Sequence, residues 1–178
     1  MEDFYLVSLL PPEKVLSKID EVRRELFSRL GMPSARMFPD MIPVALSPSY
    51  PVPPKESRYR IRIHSGFILD PVPAAAGEGV FLPLTDRDSW DEVRRDPLLA
   101  DFEAHPPEGR GYPLSPYPGV FLGFSSDLPR DRSEVLLPRL DAPAEWKKCS
   151  LMCLRAAFPR TGEVLWEYFW EVPVVFRR

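Results

Sequence analysis

Proline limits what this chain can build. Its ring fixes φ and leaves no backbone N–H, so it interrupts helix interiors and central strands. It accounts for 23 of the 178 residues, more than twice the average usage of about 5%. The prolines lie between patterned segments rather than in one run. Short elements joined by stiff connections are therefore expected, with loops that cost less entropy to order. An apolar fraction of 44% with 11 Phe, 6 Tyr and 4 Trp excludes a disordered chain. Residues 1–178 fit a single domain, or two small lobes sharing a core, with no evident internal boundary, and either can bury enough surface to fold without metal or disulfide.

The apolar run at 4–10 (FYLVSLL) predicts a buried strand, and Pro11-Pro12 predicts the start of a helix. Val15, Ile19, Val22, Leu26 and Leu30 recur at helical spacing as far as Gly31, the clearest amphipathic pattern in the chain. Residues 41–47 (MIPVALS) form a second apolar strand, in which Pro43 calls for an edge or a bulge. Residues 58–69 (RYRIRIHSGFIL) alternate as one half-buried strand, with Tyr59, Ile61 and Ile63 inward and Arg58, Arg60, Arg62 and His64 outward. Further strands are expected at 79–84, 119–124, 147–158 and 164–175, the last two joined by a turn at Pro159-Arg160-Thr161-Gly162. Thr85 to Asp88 would cap a helix carrying Trp90, Val93 and Arg94, which Pro97 breaks or restarts, and residues 133–140 suggest a brief helix. Strands dominate and helices are segregated, so the fold class is α+β with antiparallel or mixed sheets.

Net charge is −3, so the chain as a whole lacks the field expected of a protein that holds nucleic acid mainly through phosphates, and any nucleic-acid binding would have to be local. No stretch is apolar enough for a membrane span, and residues 1–10 do not form a secretory leader; a cytoplasmic protein without membrane contact is expected. Cys149 and Cys153 fall on one face of a strand, about 13 Å apart at ~3.3 Å per residue, too far for a disulfide. We expect buried, inert thiols. Neither phosphate-binding loops, dinucleotide turns, nucleophile elbows nor zinc-protease motifs occur, and no cofactor or metal is expected.

The order of elements resembles the 2H phosphoesterase superfamily, the 2′-5′ RNA ligase-like proteins. FYLVSLLPPEKVLSKIDEVRREL is similar to that family's first strand and helix, YPGVFLGFSSD to the surroundings of its second motif, and the final hairpin with Trp166 and EVPV to its closing strands. The resemblance implies two βαβ-containing lobes meeting at a cleft. It further implies two His-x-Thr/Ser motifs, one per lobe, whose imidazoles act as general base and acid. Here those motifs fall on Pro43-Val44-Ala45-Leu46 and Gly119-Val120-Phe121-Leu122. None of these side chains can shuttle a proton or bind phosphate, and the usual acid–base contribution of about 10²–10⁴-fold per group is missing. A protein without catalytic residues is implied, with Pro43, Ala45, Ser47, Tyr117, Gly119 and Phe121 lining a cleft for a small phosphorylated or nucleotide-like ligand.

Two alternatives follow from other residues. The stripe Arg58, Arg60, Arg62 and His64 could grip phosphate, and His64 with Arg60 or Arg62 could support a non-standard phosphoesterase; the bland alternative is a solvated strand face. His105, the other histidine, precedes Pro106-Pro107 and completes no motif. Trp166, Tyr168 and Trp170 would share one face, as a stacking platform or as core. Asp86, Asp88, Asp91 and Glu92 could suit a cation, but a helix start explains them. An interaction or structural protein, with prolines and exposed aromatics as its contact surface, is the third possibility. The oligomeric state is not legible.

Overall fold

Buried on both sides, strand β1 (Phe4–Leu10) organises the molecule. The computed structural model describes residues 4–47, 52–55, 58–102, 116–129, 136–157 and 164–177. Val7 and Leu9 face the stripe Val15, Ile19, Val22 and Leu26 of helix α1 (Glu13–Leu30), while Phe4 and Leu6 face a second, aromatic cluster. Both faces of β1 are therefore apolar, which is why its sequence shows no alternation. Pro12 stands at the N-cap of α1, and Gly31, in the left-handed region at φ 64°, ends it with its N–H on the Phe27 carbonyl at 3.1 Å.

Around β1 a five-stranded sheet curls as a half-barrel. Its order is β2 (Ile42–Ser47), β1, β9 (Lys148–Ala157), β10 (Leu165–Phe176) and β3 (Ile61–Ile63), antiparallel except for the β10–β3 pair. A second sheet holds β5 (Ala74–Ala76), β6 (Gly79–Pro83) and β7 (Gly119–Phe124), and a third pairs β4 (Phe67–Leu69) with β8 (Ala144–Trp146). With α2 (Asp88–Arg94) as the second helix, the fold is α+β and mostly sheet.

The single strand expected at 58–69 is two. Ile61 and Ile63 are bound to the edge of β10, while Phe67 and Leu69 pair with β8 in another sheet, so the chain must turn between them. The buried Ser89 hydroxyl pins this corner against the carbonyls of Ser65 (2.8 Å) and Gly66 (2.9 Å). In β10 the register slips between Tyr168 and Trp170, leaving Phe169 as an extra residue. Trp166 and Tyr168 stand opposite Ala156 and Leu154, but Trp170 stands opposite Cys153 and enters the core against α1. The expected one-faced aromatic row is thus split by a bulge. Residues 136–140 are not helical, and the remainder of the helix expected at 133–140, like the 159–162 turn, lies outside the described residues.

Between α1 and β2 the chain makes only a single 3-10 turn, Pro33–Arg36, and its carbonyls need donors. Arg23, 3% exposed, supplies them. Its Nε donates to the Ala35 carbonyl at 2.7 Å, and its two terminal nitrogens bind the Phe38 carbonyl and the Asp40 carboxylate. Replacing Arg23 with Ala strands a carboxylate and two carbonyls. Urea unfolding should show a loss of about 3–5 kcal/mol, the usual cost of removing one partner from a buried ion pair; a loss below about 1 kcal/mol would show that the segment holds itself.

Candidate functional site

Strands β2 and β7 meet edge to edge. Phe121 donates its N–H to the Met41 carbonyl at 3.2 Å, and Tyr117 donates to the Pro43 carbonyl at 3.2 Å. That same carbonyl accepts from the Trp90 indole at 3.2 Å. The two segments carrying the motif positions are therefore neighbours, and what lies between them is packing.

Pro43 sits at a register slip in the β1–β2 pairing, where Val44 is the extra residue. The bulge has a chemical consequence. Pro43 stands opposite Ser8 on the face shared with Leu6, whereas Ala45 stands opposite Val7 on the α1 side. A His-x-Thr pair needs its first and third side chains on one face, which this backbone does not provide at 43 and 45. On β7, Gly119 and Phe121 do share a face, opposite Pro83 and Phe81.

Pro43, Gly119 and Phe121 are buried, as are Ala45 and Ser47; Tyr117 alone of the six is half-exposed, its ring 4.2 Å from that of Phe81. The space beside them is filled by Phe38, which meets Phe121, Phe124 and Trp166 edge-on at 5.0, 5.4 and 5.5 Å. Such contacts add about 0.5–1.5 kcal/mol per pair beyond burial. The Trp166 indole donates to the Met37 carbonyl at 3.0 Å, committing it to the core edge rather than to a base. At Gly119 a Cβ would lie 2.6 Å from the Leu82 carbonyl oxygen and 2.9 Å from the Pro83 Cα, both backbone atoms of β6.

Arg58, Arg60, Arg62 and His64 are all exposed. Across the sheet Arg62 aligns with Val175 and then Lys148, and Arg177 lies beside His64, so two cations distant in sequence widen the stripe. His64 is engaged on both nitrogens. Glu92 Oε2 accepts its main-chain N–H at 2.8 Å and lies 3.1 Å from Nδ1, while Arg177 Nη1 lies 3.3 Å from Nε2. The neighbouring acids are occupied too: Asp86 accepts the Asp88 N–H at 2.9 Å, and Asp91 pairs with Arg87 at 3.3 Å. Among the described residues no cluster of His, Cys, Asp and Glu is placed to hold a metal ion, and no helix is long and apolar enough to cross a membrane. His105 lies outside the described residues.

A hollow of about 290 Å³ opens on the other side of β2, lined by Ala45, Arg94, Arg95, Asp96, Leu99, Ala100 and Phe102. Sequence reasoning did not assemble it. Its one local signal, Arg94-Arg95-Asp96, is unremarkable until the turn after α2 brings it against Ala45.

No protein-family model matches this chain, and no curated protein is significantly similar to it in sequence.

Burial pushes the thiols of Cys149 and Cys153 up from 9.0 to about 12. Two outcomes follow from these geometries. At pH 8 an aromatic disulfide reagent should label the folded protein about a thousandfold more slowly than the unfolded chain, because the thiolate is the nucleophile; comparable rates would show the thiols to be open. Gly119→Ala should cost about 1–3 kcal/mol in urea unfolding, since strands β6 and β7 must part to admit a methyl group; an unchanged midpoint would show that they separate freely.

Proposed function

We propose that this chain is a non-catalytic protein of the 2H phosphoesterase-like kind, one that binds a phosphorylated or nucleotide-like molecule without transforming it. The observation carrying this is the seam itself. The three motif positions that share one side, Pro43, Gly119 and Phe121, are buried and bear no group that can donate, accept or attack. Gly119 lacks room even for a methyl group. The adjacency of β2 and β7 supports treating their segments as counterparts in a duplicated, two-lobed architecture, with a cluster of aromatic rings packed on one side of their seam.

An active phosphoesterase centred on His64 is the competing possibility, and the Glu92 contact is the feature that favours it, since a carboxylate on Nδ1 orients an imidazole for proton transfer. Against it stands Arg177, which faces Nε2, the nitrogen that would have to take the proton. Assays with 2′,3′-cyclic nucleotides and 2′-5′-linked dinucleotides should give no turnover above the buffer rate. Hydrolysis that disappears in His64→Ala would replace the non-catalytic assignment with the His64 mechanism.

A further inference from the structure

We propose that the hollow beside Ala45 is an anion site that takes the phosphate of a small phosphate monoester between Arg94 and Arg95. Both arginines line it. The Arg94 guanidinium lies 4.6 Å from the centre of the Trp90 ring, which positions it without neutralising it. Among the described residues neither arginine has a carboxylate or carbonyl acceptor. Arg94 is half-buried and Arg95 exposed at the rim; charged N–H groups beside a hollow favour an anionic acceptor, and the planar fork of Arg suits phosphate oxygens.

The acid in the hollow does not fill this role. Asp96 Oδ1 accepts the Leu98 N–H at 3.0 Å and the Tyr59 hydroxyl, so its carboxylate caps the Pro97–Leu99 turn and ties it to the approach to β3. Main-chain donors of the turn are also used: the Leu99 N–H binds the Asp96 carbonyl and the Ala100 N–H binds the Pro97 carbonyl. Two guanidiniums against one committed carboxylate leave the hollow net positive. Leu99 and Phe102 add an apolar wall, which selects an ester carrying an apolar or aromatic group over the bare ion. Ala45 keeps the floor small.

The hollow lies on the α1 side of β2, away from the aromatic seam, so it stands apart from the question of catalysis. Turnover of a cyclic nucleotide would overturn the non-catalytic assignment and leave this site untouched; failure of this site leaves that assignment standing.

Calorimetric titration at low ionic strength with phenyl phosphate, AMP and inorganic phosphate tests it. The two esters should bind saturably and more tightly than inorganic phosphate, and affinity should fall as salt screens the pair. Arg95→Gln, an exposed change that spares the fold, and Arg94→Gln should each weaken the esters about tenfold, as expected for loss of one charge-assisted contact. Absence of saturable binding by all three probes, equal affinity for all three, or unchanged affinity in Arg95→Gln would each overturn the site.

Discussion

One buried guanidinium holds the two halves of the core in register. Arg23 rises from the middle of α1 and satisfies a segment that makes only one 3-10 turn of its own, and that segment delivers Phe38 and Met41 into the aromatic cluster. The same segment is fastened at its far side, where the Ser34 hydroxyl accepts the Phe124 N–H at 2.7 Å and Asp127 accepts the Ser34 N–H at 3.0 Å. Helix α1 and strand β7 are thereby linked through ten or so residues of irregular chain. A charge is costly to bury alone, so its three partners must all be present for the segment to take this shape. The position of β7 against β2 depends on that.

Much of the fold could be seen in the sequence wherever one element contains its own pattern. Helix α1 is legible because its apolar stripe recurs five times without a proline, β10 because its run LWEYFWEVPVVF is aromatic and valine-rich, and β9 because its Leu, Met and Cys run ends at a turn signal that leads into β10. Strands β5 and β8 are not. Ala74–Ala76 and Ala144–Trp146 have too few residues to show a period, and they are strands only because β6 and β4 supply their ladders. The 58–69 segment misleads for a subtler reason. Ile61, Ile63, Phe67 and Leu69 are all buried and all at odd positions, so the parity of the buried residues is kept across a corner at Ser65-Gly66 where the strand itself ends.

Bulges set the limit of what parity can reveal. A single extra residue reverses every side chain beyond it. One such residue, Phe169, carries Trp170 to the opposite face from Trp166, and another, Val44, separates Ala45 from Pro43. Residue types at the candidate site were legible, including the absence of acid–base groups at 43 and 119. Their facing was not. The hollow with Arg94 and Arg95 escaped notice because its lining joins a helix end, a 3-10 turn and a strand from separate stretches of the chain.

The Val44 bulge also bears on how such a protein could change over time. Substituting side chains is the small step by which sites are ordinarily gained or lost, and it alone cannot place an imidazole and a hydroxyl together here. Positions 43 and 45 point opposite ways, and position 119 is pressed against the backbone of β6. A lineage with this backbone would first have to delete a residue from β2 and move β6 and β7 apart, each step costing stability before any benefit to chemistry. The barrier to acquiring a His-x-Thr pair is therefore conformational, and it acts like a ratchet.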